Sequence, residues 1–561
     1  MNGLANLSLN DNSRKLVVGI DFGTTFSGVA WGETRRSDQQ QVINSWPSSQ
    51  GTREGISSEK VPTEIRYVKN ETEWGFQIPP LVERYQWFKL GLGGSKSPPN
   101  QKVSSEDLTA AYLAKLCDHL MYTLEQKVGQ AVLRTIPIEF CLTVPAIWSE
   151  VAKEKTLRAC EKAGVKSNSK ILLVSEPEAA AIYSLHGLDP HGLNVGDSFV
   201  LCDAGGGTVD LISYTITDLY PMLKVKEAAA GTGGLCGSTF LNRRFGEFLE
   251  AKLGKEPGWD SEILAEAMER FDTVIKKQYS PDSNQEGYSI PVAGLANNER
   301  LGIRRGKFLI KPQEMQGIFK PIVDKIIELV RGQIKATKTT IKAVLLVGGF
   351  GQSVYLKESL RNELGDKIEV LQPPNAWTAV VRGAVMMGLA QANSNSGMVV
   401  SRAARKHYGI ELSVEFDPKL HNNGFKYWAE RDQSYRVLCM SWFIKKGDPV
   451  QESKPKQIAF NQKYALKNGN PKSASIIVKC DEYSATAPIH QATQGRDLVT
   501  LEADLSHLTE KDLERTIITC ADGRKYYNIS GAVEATYYSA STKYVLLYMG
   551  KRYDTVTAEY V

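Results

Sequence analysis

The chain has no apolar run long enough to cross a bilayer as a helix, which argues against membrane insertion. Its first residues, MNGLANLSLNDNSRK, lack the apolar core of a signal peptide, and residues 1–14 are expected to form a disordered polar tail. Histidine is scarce: none of the seven lies at HxxxH spacing, and none adjoins a plausible Ser or Cys nucleophile. The eight cysteines (Cys117, Cys141, Cys160, Cys202, Cys236, Cys439, Cys480 and Cys520) are scattered, and no pair has metal-ligand or redox spacing. Buried thiols in a reducing compartment are the expectation, which points to the cytoplasm and leaves the nucleus open. An excess of one charge is also missing. A net +5 over 561 residues, with both signs interspersed, gives no footprint for a nucleic acid. That length favours two to four domains.

What the chain does have is a pattern that occurs twice. In SFVLCDAGGGTVDLISYTIT, an apolar β-branched run ends at Asp203, followed by Gly205, Gly206, Gly207, Thr208, Asp210 and a second apolar run. Two such runs about a Gly-rich turn read as a hairpin. The glycines open backbone angles closed to other residues and allow close approach to a ligand. Backbone N–H groups and a Thr hydroxyl at such a turn suit phosphate oxygens. The flanking carboxylates repel phosphate, so they would act on it through a hydrated Mg²⁺. A Gly-rich turn alone is commonly no more than a turn. The earlier stretch KLVVGIDFGTTFSGVAWG repeats the order, however: strand, Asp21, Gly23, Thr24, Thr25, strand. Two copies imply two related lobes, with facing hairpins that trap a polyphosphate and its metal between them.

The remaining pattern up to Gln391 alternates strands and helices, as in an α/β layered domain with a partly parallel sheet. IEFCLTVPAIW reads as a strand, SEVAKEKTLRACEKAGV as a helix, and ILLVSEPEAAAIYSLHG as strand, turn and helix. GLGGSKS at Gly91–Ser97 superficially resembles a P-loop. Ser95 stands before Lys96 where Gly is needed and PPN follows, so a surface loop is expected. After LKVKEAAAG comes a Gly-rich loop and a helix whose start holds Ser238 and Thr239; an anion site and an ordinary capped helix both fit. A helix is expected over Ser261–Tyr279, and another over IKPQEMQGIFKPIVDKIIELVRGQI. Gly348-Gly349 follows an apolar strand, where α/β folds bind ligands, although a plain connection has the same appearance. QANSNSG marks a linker, taken as 392–400, between residues 15–391 and a module at 401–561. In that module, runs such as YRVLCMSWFI, ASIIVKC and KYVLLYMG predict an all-β fold.

The motifs IDFGTTFSGVA, TVPAIW, SEPEAAAIY, CDAGGGTVDL, GTGGLCGSTFLNR and LLVGGFGQS, in this order, resemble the nucleotide-binding domain of the 70-kilodalton heat-shock chaperones, within the actin and hexokinase superfamily. The resemblance implies a two-lobed α/β domain, actin-like, that closes on ATP or ADP with Mg²⁺. It implies phosphate contacts from Gly23, Thr24 and Thr25 and from Gly205, Gly206, Gly207 and Thr208. Asp21 and Asp203 would orient the metal's water shell. Asp210 and Glu176 would order metal-bound or attacking water, while Gly237, Gly348 and Gly349 would frame the nucleoside. The family's active-site lysine maps to Lys89 in QWFKLGL, where a solvated lysine is the competing reading. Asp272 and Lys276 are candidates for the adenine and ribose edge, or an ordinary i,i+4 pair. Gln352 stands where an adenine-stacking arginine is usual, and Trp377 where an acid is. FIKKGDPVQESKP and VEATYYSASTKYVLLYMGKRYDT resemble the family's β-sandwich substrate domain; its helical lid and acidic-leucine linker are not seen. The resemblance thus implies an ATP-hydrolysing chaperone-like protein of a divergent, lid-less branch, with an unfolded polypeptide or protein client as partner. The alternatives are a nucleotide-binding scaffold with negligible hydrolysis and a small-molecule kinase of the same superfamily.

Overall fold

The computed structural model describes residues 14–560 except 49–56, 70, 80–81, 95–101, 166–169, 189–191, 221, 282–285, 395–397, 491–494 and 554–558. The expected tail therefore lies outside the described residues up to position 13; Arg14 itself is paired with Glu33 at 2.7 Å. The chain divides into two units, Met1–Val399 and Val400–Val561.

The first unit is built from one plan used twice. β1 (Leu16–Asp21) and β2 (Phe26–Glu33) form an antiparallel hairpin, with β3 (Arg36–Val42) outside β2. The two-residue β4 (Val61–Pro62) pairs with the start of β2. Next come α1 (Phe88–Leu92), α2 (Ser105–Val128), β5 (Ile138–Val144), α3 (Glu150–Lys162) and β6 (Ile171–Ser175). The sheet order is β3-β2-β1-β5-β6, with β5 and β6 parallel to β1. The chain then enters α4 (Glu176–Gly187) directly from β6, without the expected turn.

The second half repeats this. β7 (Ser198–Ala204) and β8 (Val209–Asp218) form the hairpin, and β9 (Lys224–Gly234) lies outside β8. α5 (Ser238–Leu253), α6 (Ser261–Arg270) and α7 (Pro312–Ala336) precede β10 (Ile341–Val347). α8 (Val354–Leu364), β11 (Glu369–Leu371) and α9 (Ala379–Ser394) complete it. Here the order is β11-β10-β7-β8-β9, again a hairpin flanked by two parallel strands.

The two sheets share one apolar core through α4 and α9, the helices that follow the last parallel strand of each half. Val17, Cys141 and Val174 from the first sheet and Phe199, Leu201 and Leu345 from the second pack with Ala179, Ile182, Val381 and Val385. Small residues set the helix spacing: a Cβ on Gly383 would lie 1.7 Å from the Ala179 carbonyl oxygen, and one on Gly388 2.6 Å from a Val17 methyl. The AAA run of α4 thus marks a close helix contact as well as helical propensity.

Four expectations need correction. The helix expected over Ser261–Tyr279 is broken at Phe271–Ile275 by a π-helical turn, a distortion that propensity does not report. The Gly-rich loop after LKVKEAAAG begins inside β9, whose glycines permit close strand contact: a Cβ on Gly231 would sit 2.6 Å from Ile212. Gly91 and Leu92 of GLGGSKS end α1, and Ser95 onward lies outside the described residues. The stretch expected as linker is partly ordered too. α9 runs to Ser394, and Met398, buried in the first unit, accepts the Val225 N–H at 3.0 Å.

The second unit is a sandwich. β12 (His407–Glu415), β13 (Tyr427–Ala429), β14 (Ser434–Ile444), β15 (Lys456–Ala465), β16 (Ser473–Asp481), β17 (Arg496–Asp504), β18 (Lys525–Tyr537) and β19 (Thr542–Tyr548) form two antiparallel sheets. Ile410, Val478 and Leu501 of one sheet and Ile529, Val533 and Leu546 of the other make its core. These residues come from alternating positions, as a sheet with one buried face requires. No helix among the described residues is long and apolar enough to cross a membrane.

Candidate functional site

The two hairpin turns meet. Asp21 ends β1 opposite Gly28, and Asp203 stands opposite Asp210 near the end of β7. A Cβ added to Gly206 would lie 2.4 Å from Thr25 Oγ1, and one on Gly207 2.9 Å from Thr24 Oγ1. The distant repeats thus face each other at van der Waals range. Close approach is what the second turn needs from its glycines. None of Gly205, Gly206 and Gly207 has a positive φ, so the expectation of unusual backbone angles does not hold there. Gly23 serves its own turn, where a Cβ would fall 2.1 Å from the Phe26 carbonyl oxygen.

The start of α5 locks the second turn from behind. Gly237 leaves no room for a side chain, since its Cβ would be 2.4 Å from the Gly206 oxygen. The N–H groups of Ser238 and Thr239 donate to the carbonyls of Gly205 and Gly206 at 3.1 and 2.8 Å. Those donors are spent on the turn, so the anion reading of this helix start is set aside in favour of a structural one. Gly348, expected to frame the nucleoside, also backs an acid. It has φ +85°, and a Cβ there would lie 2.5 Å from Asp203 Oδ1. Gly349 faces the Trp377 ring, with its Cβ position 3.6 Å from Nε1.

Four acids and two lysines converge at these turns. Lys89 on α1 is 3% exposed and holds Glu176 Oε1 at 2.7 Å, with its ammonium 5.6 Å from the Phe22 ring centre and 5.3 Å from that of Trp148. That placement rules out the solvated-lysine reading. Lys60, which the sequence analysis did not single out, holds Asp21 Oδ2 at 2.6 Å, with both side chains buried. The other Asp21 oxygen accepts from Thr143 Oγ1 at 3.4 Å. The Asp21 carboxylate therefore faces an ammonium rather than open space.

Among the described residues the acids of the second half have no such partner. Burial first, then Glu176, Asp210 and Asp21, push the Asp203 carboxyl well above its usual range. Burial and Glu176 raise Asp210 to about 7 against the hydrogen bond from Thr208. The Asp210 Oδ1 atom is buried, with no hydrogen-bond partner among the described residues. Glu176 is raised by burial despite the opposing pull of Lys89.

Asp272 and Lys276 form a separate cluster on the π-turn and the helix after it. They pair with each other, Asn242 Nδ2 donates to Asp272 at 3.0 Å, and Lys276 donates to Asn242 Oδ1 at 3.1 Å. Burial opposes ionisation of Asp272, but Lys276 and Asn242 outweigh it and hold its carboxyl below the ordinary range. This is a tie between helices, beyond the simple i,i+4 pair. Trp377 packs edge-on against Phe26 of the first hairpin at 5.6 Å, and Gln352 is exposed.

Comparison with known proteins joins this geometry to a family. The family described as Hsp70 protein matches residues 94–423, more than half of the chain, taking in the second hairpin and the Gly348-Gly349 turn. The chain belongs to the Hsp70 family. Heat shock 70 kDa protein 12A of Mus musculus is 27% identical over 479 residues, covering 67% of this chain and 69% of the relative. Heat shock 70 kDa protein 12B of Homo sapiens is 23% identical over 514 residues, covering 73% of each. Chaperone protein DnaK of Deinococcus deserti is 27% identical over 318 residues, which span 56% of this chain and 47% of the relative. At these identities this is a divergent Hsp70-family member. Membership makes it a nucleotide-binding, chaperone-like protein with an actin-like, two-lobed α/β domain, and a strand-rich region follows that domain.

Proposed function

We propose that this Hsp70-family protein binds ATP or ADP with Mg²⁺ between its two hairpins and hydrolyses ATP there. The observation that carries the reading is the contact between the turns, Thr24 and Thr25 on one side and Gly206 and Gly207 on the other. In phosphoryl transfer the protein chiefly positions groups and stabilises charge. Gly23, Thr24 and Thr25 would grip the phosphates from one lobe, and Gly205, Gly206, Gly207 and Thr208 from the other. Lys89, fixed by Glu176 beside the Phe22 and Trp148 rings, would supply positive charge to the phosphates. Asp210 suits the water-ordering role. Its Oδ1 has no hydrogen-bond partner among the described residues, and burial together with Glu176 raises its pKa above the ordinary carboxylate range, the direction that suits a group accepting a proton from water.

The donor set fits a divalent cation. Four carboxylates crowd two ammonium groups, and burial raises the pKa of three of them: Asp203 and Asp210, which no lysine among the described residues bonds, and Glu176 despite its pairing with Lys89. Among the described residues no three acid, His or Cys side chains converge tightly enough to ligate a metal directly, which supports a hold through water. Asp203 and Asp21 would hold that water shell, and the ion when bound supplies positive charge to the phosphate oxygens. Gly237, Gly348 and Gly349 support the turn and Asp203, while Asp272 and Lys276 are proposed for the ribose and base edge.

Single-turnover hydrolysis of labelled ATP tests this. Asp203→Asn is expected to abolish hydrolysis. Tight binding by the wild type without turnover supports the second reading, a nucleotide-binding scaffold, which the engagement of Asp21 by Lys60 favours. For the β-rich unit we propose binding of an unfolded polypeptide or protein client. Support comes from Phe425, Trp428 and Tyr435, which are 56%, 46% and 50% exposed near the β13–β14 edge.

A further inference from the structure

We propose that Lys60 is a built-in cation of the phosphate site, which lets this chain hold a nucleoside di- or triphosphate with a weakened requirement for Mg²⁺. The proposal rests on the nucleotide reading above and adds a ligand-binding residue to it.

Register places the lysine. β4 pairs with β2 as Val61 opposite Ser27 and Pro62 opposite Phe26, so Lys60 falls beside Gly28, which itself stands opposite Asp21. The Lys60 stem lies over Gly28, where a Cβ would meet its Cγ at 3.2 Å and its Cε at 3.5 Å. A glycine at that position gives the stem a path to the acid at the turn. The neighbouring residues fix the direction. Glu59 turns the other way to bind Arg382 at 2.8 Å, and the Ser58 hydroxyl donates to the Lys60 carbonyl at 2.6 Å.

The chemistry then follows from the donors. Lysine is among the residues least often fully buried, because its ammonium is strongly hydrated and costly to strip of water. Lys60 is only 7% exposed. Among the described residues, Asp21 is the one hydrogen-bond partner of its ammonium, so two of the three ammonium N–H donors are left for a ligand. Asp21 lies three residues before Thr24, at the base of the turn that meets Gly206 and Gly207. A phosphate between those turns brings oxygen acceptors to the waiting donors. The charge of Lys60 also reaches Glu176 and Asp203, where it opposes the rise in their pKa values.

Binding of a fluorescent ATP analogue to the full chain, by anisotropy in Mg²⁺ and in EDTA, tests the proposal. The wild type is expected to lose less than about 10-fold in affinity when Mg²⁺ is removed. Lys60→Met is expected to lose about 10- to 100-fold more than the wild type in EDTA, the size of a charge-assisted hydrogen bond, and only a few-fold in Mg²⁺. Lys60→Arg, which keeps the charge, should restore much of the metal-free binding. Thermal melting reports whether Lys60→Met folds. If it does not, Asp21→Asn/Lys60→Met, which leaves no lone buried charge, is read against Asp21→Asn alone, so that the difference between the two in EDTA isolates the lysine. An equal affinity ratio between the two buffers in the wild type and the Met variant overturns the role of Lys60 alone. Loss of all wild-type binding in EDTA does so as well. No wild-type binding in either buffer overturns the nucleotide reading beneath it.

Discussion

Replacing Gly206 by alanine adds one carbon at the point where the two hairpins touch. That carbon would sit 2.4 Å from Thr25 Oγ1, 2.8 Å from its Cγ2 and 3.1 Å from its Cβ. Rotating the Thr25 side chain leaves the Cβ contact, so the turns must move apart by several tenths of an ångström. Forcing an extra carbon into a packed site costs about 1–3 kcal/mol, or roughly 5- to 150-fold in an equilibrium constant. The cost falls on the gap that a phosphate would occupy. Gly205→Ala is the internal control: its methyl would meet only the Thr208 carbonyl oxygen, at 3.2 Å. Titration of each variant with labelled ATP in Mg²⁺, next to urea unfolding of the nucleotide-free protein, separates affinity from stability. Gly206→Ala is expected to bind at least 5-fold more weakly, and Gly205→Ala within about 3-fold of the wild type. Gly206→Ala binding within twofold of the wild type would refute the argument, since the turn contact would then have no part in holding phosphate.

Lys89→Met strands the Glu176 carboxylate and should cost about 3–5 kcal/mol in urea unfolding, as breaking a buried ion pair does; Lys89→Met/Glu176→Gln should recover most of it. A pH series on the nucleotide-free protein tests the acids. The folded pKa of Asp210, about 7, lies above its ordinary 3.8, so between these values the native state binds a proton that the unfolded state releases. Stability is therefore expected to fall as pH rises from about 4 to about 7, by no more than about 4 kcal/mol from this group, and Asp210→Asn should flatten the slope. A fragment ending at Val399 should fold and bind nucleotide. One ending at Gln391 should melt earlier, because it loses the buried Met398 and Val399 and the bond from Val225.

The residues that were legible in the sequence are those whose meaning is local. An apolar run ending in an acid, then glycine and threonine, specifies a strand and a tight turn within ten residues, so Asp21 and Asp203 fell at the ends of their strands. The twofold plan was legible for the same reason, since each copy carries its own motif. What escaped depends on pairings between distant segments. Lys60 lies 39 residues from Asp21, and only the β4–β2 register brings them together. Nothing in SSEKVPTEIRYV marks that lysine as buried. Lys89 and Glu176 are 87 residues apart, so sequence alone left the lysine between two environments. The glycines of the second turn show the reverse. Their positions were legible but the reason was not, because the opposing Thr24 and Thr25 come from the other lobe.

The repeat is symmetric in backbone and asymmetric in charge, and the asymmetry says where a metal would be needed. Both acids that precede the second half at the cleft, Asp21 and Glu176, are matched one to one by Lys60 and Lys89. The second half contributes Asp203 and Asp210, which stand opposite each other across the hairpin, and among the described residues no lysine bonds either of them. Burial raises both, the charge of Glu176 adds to the rise in each, and Asp210 adds further to that of Asp203. A nucleotide closing between the lobes would meet cations already in place on one side and an uncompensated pair of acids on the other. The need for Mg²⁺ would then come from the second hairpin. Removing Asp203 should alter the metal dependence of binding more than removing Asp21, although the two acids hold equivalent places in the repeat.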